Sequence, residues 1–247
     1  MCVSELIGTA LLVLIGLSIV IFDLGRGSPM AAILPSAAAR RALTGGLFGA
    51  TGMSIALSPI GRVSGAHINP VVSIAFWVER TLSTRALVAF AASQLLGAVV
   101  GAVPLLLWGQ MGRSVAYAAT SPGPRGTTVA FLGEVVTTFL LVFLLLSFVG
   151  HHRLRRYTPG IFPPLYCVMV WLEAPWSGTS TNPARSLGPD VIGLASHNYW
   201  LYWAAPVVGT LLAVAARHIV PVIRDLDVDI AKVARFEVDL AADLKAR

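Results

Sequence analysis

The sequence predicts an all-α membrane protein in which six transmembrane helices and two re-entrant half-helices form an inverted repeat. Three observations carry this reading. Of the 247 residues, 56% are hydrophobic and only 12% charged, whereas soluble domains carry about 25% charged residues. Six apolar runs approach or exceed the roughly 20 residues that cross a bilayer as a helix. One box, Ser-Gly-x-x-x-Asn-Pro, stands twice, at residues 64–70 and 177–183.

The first run, 3–22, has no basic residue before it and is followed by Asp-Leu-Gly-Arg instead of a small-residue cleavage site, so it reads as a retained helix and not as a secretory signal. The second, 43–60, leads into the first Asn-Pro box, and the third is 86–108. A stretch rich in Gly, Pro, Ser and Thr, 109–127, joins them to the fourth run, 128–149. The fifth, 161–175, is short and proline-bearing; the second box follows it, and 200–220 is the sixth. "ELIGTALLVLIGLS" from Glu5 and "EVVTTFLLVFLLLS" from Glu134 each open a half with a glutamate and a threonine four residues on. A stretch of small residues, "SQLLGAVVGA" and "APVVGTLLA", recurs in the last helix of each half. Three spans per half is an odd number, so the second half enters from the opposite side. The expected organisation is a single transmembrane domain, 1–220, with inverted halves 1–113 and 127–220. A charged tail, 221–247, follows, with Leu226, Ile230, Val233 and Leu240 at helical spacing.

Asn followed by Pro reads as an N-cap with proline at the first helical position. "VVSIAFWV" after Pro70 and "ARSLGPDVI" after Pro183 are each about half a span long. Two such helices entering from opposite faces meet near the bilayer centre, because about ten residues rise roughly 15 Å of a core about 30 Å thick. Their approach segments are not helical by composition, and such backbone is tolerated at membrane depth only where it is buried in protein or lines water. Carbonyls of Gly65, Ala66 and His67, and of Gly178, Thr179 and Ser180, then form a ladder of acceptors. Asn69 and Asn182 offer donors at the centre, with the positive ends of both half-helices pointing inward. Such a centre suits a neutral oxygen and repels a cation.

The net charge of +6 comes largely from arginines scattered over loops and ends, with no aromatic-studded basic face, so it points to lipid headgroups and topology, not to nucleic acid. Eight arginines fall on the inner connections against six on the outer when the N-terminus is inside, which places both termini in the cytoplasm of a cell with an inner or plasma membrane. Cys2 and Cys167 show neither disulfide nor metal-ligand spacing; no cofactor or metal is implied. No Ser/His pair, paired aspartates or His-x-x-x-His constellation points to an enzyme. A secondary transporter needs coupling-ion carboxylates near the midplane, and the spans offer few beyond Glu5 and Glu134.

The boxes "SGAHINPVVS" and "SGTSTNPARS" resemble those of the aquaporins, the major intrinsic protein family, over about residues 3–220. The second box matches the family's Asn-Pro-Ala at Asn182, Pro183 and Ala184, and the first departs from it with Val71. The resemblance implies a homotetramer with one pore per subunit and passive flow of water or small neutral solutes. It assigns Arg185 to the narrow outer filter with Thr179 and Val170, the last where water-selective members have histidine. The remaining filter position is Gly49 by ungapped count, or Phe48 if "SPIGR" holds one extra residue. Phe48 implies a moderately narrow pore; Gly49 implies a wide one open to glycerol, urea or metalloid acids. Ser186, Tyr202 and Trp203 resemble the water-channel branch, and Asp190 does not fit it. Glu5 and Glu134, by the same resemblance, support the re-entrant loops. Glu173 shares a helix face with Val170, and its reading stays divided between the pore mouth, a vestibule and a subunit contact.

Overall fold

The computed structural model describes residues 1–194 and 198–219, so the tail expected at 221–247 lies outside the described residues. The long helices are α1 (Cys2–Leu24), α3 (Ala37–Leu57), α6 (Thr84–Ala102), α8 (Thr127–Gly150), α9 (Phe162–Ser177) and α11 (Leu201–Ile219). Short helices α2 (Met30–Ile33), α4 (Pro59–Ser64) and α7 (Gly109–Arg113) lie in connections, and the half-helices are α5 (Pro70–Val78) and α10 (Pro183–Gly193). By length and hydropathy alone, Cys2–Leu24, Thr84–Arg113 and Thr127–Gly150 qualify as spans. The shorter or more polar α3, α9 and α11 share their packing.

Two boundaries differ from the pattern of apolar runs. Helix α3 begins six residues before the apolar run at 43, because Ser36 caps it by accepting from the Ala39 N–H at 3.3 Å. Arg40, which ends the apolar run, turns back and donates to the carbonyls of Leu34 and Pro35 at 2.7 and 3.0 Å. After α6 the chain does not become loop at once. It tightens into a 3₁₀ segment at Val103–Trp108, where Pro104 cannot donate to the preceding turn, and continues as α7.

The packing repeats between the halves. Helix α1 lies against α6 as α8 lies against α11; α5 packs on α11 and α10 on α6, so each half-helix rests on the last long helix of the other half. The seam between halves is α3 against α9. It is close because glycines on α3 meet backbone: a Cβ on Gly45 or Gly49 would fall on the carbonyl of Tyr166 or Phe162. Small residues that let helix backbones approach are the main device for holding helices together in lipid, where hydrophobicity drives no association. Gly49→Ala is therefore expected to cost about 2 kcal/mol by overpacking, seen as a lowered unfolding midpoint in detergent. Gly52→Ala, whose added carbon meets open space, should leave the midpoint unchanged.

Candidate functional site

Both boxes fold into the same irregular path. Helices α4 and α9 end on Gly65 and Gly178, with φ of +84° and +88°, a left-handed conformation that glycine adopts without penalty. The left-handed region is visited again at Ala66 and Ile68 in the first loop, and at the equivalent Thr179 and Thr181 in the second, with φ between +43° and +51°. Ile68 and both threonines are β-branched, for which this backbone costs on the order of 1–3 kcal/mol each. Such a path persists only if its surroundings hold it.

Two buried carboxylates do so. Glu5 accepts from the N–H groups of His67 and Ile68 at 3.0 and 2.7 Å, and Glu134 from those of Ser180 and Thr181 at 2.6 and 2.8 Å. Both side chains are fully shielded from solvent. Each has a further donor: Gln94 Nε2 at 2.7 Å from Glu5, and the Ser177 hydroxyl at 2.6 Å from Glu134. Charge-assisted bonds of this kind are about twice as strong as neutral ones, which offsets both carboxylate desolvation and loop strain.

At the loop ends the asparagines cap the half-helices. Asn69 Oδ1 accepts from Val71 N–H at 3.0 Å, and Asn182 Oδ1 from those of Ala184 and Arg185 at 3.0 and 3.3 Å. Their amides cross the pseudo-symmetry axis: Asn69 Nδ2 donates to the Thr181 carbonyl and Asn182 Nδ2 to the Ile68 carbonyl, both at 2.9 Å. A side-chain amide has two N–H bonds, so each keeps one for another acceptor. The capping follows from Asn-Pro; the cross-bracing carried no sequence signal.

On one side of the two asparagines, the side of Met1, lies a cavity of about 490 Å³. Gly65, Ala66 and His67 line it, as do Phe48, Gly49, Asn69 and Asn182. The Phe48 ring packs on Tyr166, centroids 5.3 Å apart, whereas Gly49 turns toward the α9 backbone. His67 is fixed by its ring: Nδ1 is 3.0 Å from the Ser73 hydroxyl, and the imidazole stacks on Phe76 and meets the edge of Phe90. The opposite mouth of the cavity is edged by Arg62, Arg155 and Arg156.

Val170, Thr179 and Arg185 do not line that cavity. Val170 packs beside Gly45, and Thr179 is buried. Arg185, 5% exposed, donates from Nη1 to the Ala118 carbonyl at 2.8 Å. That carbonyl comes from a turn in which Ala116, Tyr117 and Ala118 are all left-handed. Gly178 and Thr179 continue the second loop, but the Ser180 carbonyl is engaged by the Thr181 hydroxyl at 2.7 Å. Ser186 closes a chain of hydroxyls with Ser180 at 2.6 Å and Thr120 at 2.7 Å, and Tyr202 donates to the Ser177 carbonyl at 2.7 Å. Sequence reasoning missed Gln94, Ser73, Tyr166 and the 116–118 turn. Only Gln94 had left a signal, as an amide inside an apolar run.

The sequence profile of the family described as Major intrinsic protein matches residues 1–216. The chain belongs to the major intrinsic protein family. It is thus an integral membrane protein of a channel family. Among its relatives, Aquaporin NIP3-1 of Arabidopsis thaliana is 33% identical over 216 residues, covering 85% of this chain and 64% of its own length. Nodulin-26 of Glycine max is 33% identical over 172 residues, 68% of this chain and 62% of its own. Aquaporin-4 of Homo sapiens is 33% identical over 173 residues, 66% of this chain and 52% of its own. The chain spans less than two thirds of the length of these relatives. The fold is also similar to that of an aquaglyceroporin from Plasmodium falciparum, with a TM-score of 0.72 at 20% identity over 90% of this chain and 97% of that one.

Proposed function

We propose that the protein is a passive water channel that excludes ions and protons. The observation that carries this reading is the pair of cross-braced asparagines, each with one N–H left over, buried where two half-helices meet N-terminus to N-terminus. Water oxygen accepts from such donors, and the two positive helix ends repel a cation at the same place. Asn69 and Asn182 form the pore centre. Gly65, Ala66 and His67 supply carbonyls on the inner side, and Gly178 and Thr179 on the outer. Val170, Thr179 and Arg185 form the constriction on one side of the asparagines, and Phe48, not Gly49, presents its side chain to the cavity on the other. One channel domain, 1–220, assembles as a homotetramer with both termini in the cytoplasm.

A second reading, in which small neutral solutes also pass, is favoured by one feature: the filter position given to Val170 holds a small aliphatic side chain in place of the histidine that water-selective members have. Stopped-flow light scattering on proteoliposomes separates the two. Fast osmotic shrinkage without glycerol reswelling is the result expected of a water channel, and reswelling in glycerol selects the second reading. Neither flux from folded tetramers would overturn both.

A further inference from the structure

Water passage alone does not call for the composition of the cavity on the Met1 side of the asparagines. Its wall is mostly apolar, with Leu12, Val72, Phe76, Phe90, Leu141 and Leu145 among the lining residues. Its volume of about 490 Å³ falls in the range of about 300–1,000 Å³ that holds small-molecule ligands. The charged side chains on its border are Arg62, Arg155 and Arg156, and among the described residues no aspartate or glutamate lines it.

The three arginines come from both halves of the chain and from ordered segments. Arg62 lies on α4, which Ser58 caps by accepting from the Gly61 N–H at 3.2 Å. Arg155 and Arg156 open a 3₁₀ segment, Arg155–Ile161. That segment is pinned at its start: the Arg155 N–H donates to the His151 carbonyl at 2.9 Å, and the Thr158 hydroxyl to the Arg155 carbonyl at 2.8 Å. The Arg156 guanidinium lies over the Tyr157 ring, 4.6 Å from its centroid. The ion pairs among the described residues join Glu79 to Arg217 and His218, so no rim arginine has a carboxylate partner there.

A cleft bordered by charge of one sign and walled by low-dielectric side chains concentrates the opposite charge. A guanidinium adds a planar fork of donors that fits the oxygens of carboxylates and related anions. A simple anion gains nothing from the apolar wall, and a neutral apolar molecule gains nothing from the rim. We propose that this cavity is a binding site for small soluble amphiphilic anions, alkyl or aryl carboxylates and sulfonates, with the headgroup among Arg62, Arg155 and Arg156 and the apolar body inside, where it obstructs flow. The obstruction rests on the reading of the cavity as part of the water path; the binding does not.

The probe is phenylbutanesulfonate, with phenylbutanol as its neutral counterpart and methanesulfonate as the anion without a body. Equilibrium dialysis against proteoliposomes and protein-free liposomes reads binding. Stopped-flow shrinkage, with the probe on both sides of the membrane, reads inhibition as a fraction of each variant's own flux. Phenylbutanesulfonate should bind saturably and inhibit, and the two controls should be about tenfold weaker or more. Arg62→Gln, Arg155→Gln and Arg156→Gln should each weaken binding and inhibition about threefold, and the triple variant by more than about tenfold. Arg113→Gln, at a position that does not line the cavity, should change neither. Methanesulfonate or phenylbutanol as potent as the probe, no saturable binding, or wild-type binding by the triple variant overturns the proposal. Binding that appears only in the variant Asp225→Asn, Asp227→Asn, Asp229→Asn gives the rim to the chain's own acidic tail segment and also overturns it. Binding without inhibition in vesicles that conduct water overturns the obstruction. Binding in vesicles that conduct no water upholds the site and sinks the water-channel reading instead.

Discussion

Replacing Glu134 with alanine is expected to reduce water permeability to less than a tenth of the wild-type value and to lower the unfolding midpoint. The carboxylate accepts from two backbone N–H groups and one hydroxyl in a fully buried setting. Each donor left without an acceptor costs about 1–3 kcal/mol. The backbone these bonds restrain includes left-handed Thr179 and Thr181, so releasing it lets the loop relax into the passage. Glu134→Gln retains one oxygen but turns an N–H₂ toward the remaining donors, and should fall between wild type and alanine. The equivalent Glu5→Ala should be milder. Gln94 bridges Glu5 and Ser73 there and has a buried Oε1 with no partner among the described residues, which can accept one of the orphaned N–H groups. Permeability and midpoint measured together on the three variants check this order.

Arg185→Val should change selectivity more than capacity. On the proposed reading the guanidinium, anchored on the Ala118 carbonyl, brings a fixed positive charge to the constriction. At an effective dielectric constant of about 20, a unit charge about 4 Å away raises the energy of a passing cation by roughly 4 kcal/mol. Its removal should therefore increase cation leak by on the order of a hundredfold or more. It also widens the narrow segment and frees the 116–118 turn, so glycerol flux should rise. Ion conductance and glycerol reswelling in the same vesicles test this; unchanged selectivity in a folded variant counts against Arg185 as a filter residue.

What was legible in the sequence was whatever is written locally. The Asn-Pro caps and the Ser-Gly turns each sit within a short motif whose physics is read from neighbours, whereas the loop-supporting role of Glu5 and Glu134 and the filter role of Arg185 came from the family resemblance. The cross-braces were not legible, because Asn69 meets Thr181 and Asn182 meets Ile68 across more than a hundred residues. The same holds for Gln94 on Glu5 and for Ala118 on Arg185, where the useful atom is a backbone carbonyl and carries no residue signature. The choice between Phe48 and Gly49 was undecidable by counting for a physical reason. Helix α3 stops at Leu57, and Ser58 serves both as its C-cap and as the N-cap of α4. A count back from Asn69 therefore crosses a break in helical phase. The start of α3 was hidden similarly: Arg40 and Arg41 end the apolar run, but Ser36 sets the helix boundary.

The central claim is that the meeting of the two half-helices at Asn69 and Asn182 passes a neutral oxygen and refuses a proton. The most direct test loads proteoliposomes with a pH-sensitive dye and follows osmotic shrinkage and internal pH in one stopped-flow record, under an imposed proton gradient. The account predicts shrinkage far faster than in protein-free vesicles, with internal pH drifting no faster than in those vesicles. Proton flow that rises with protein content, or water flow that depends on the gradient, would contradict it.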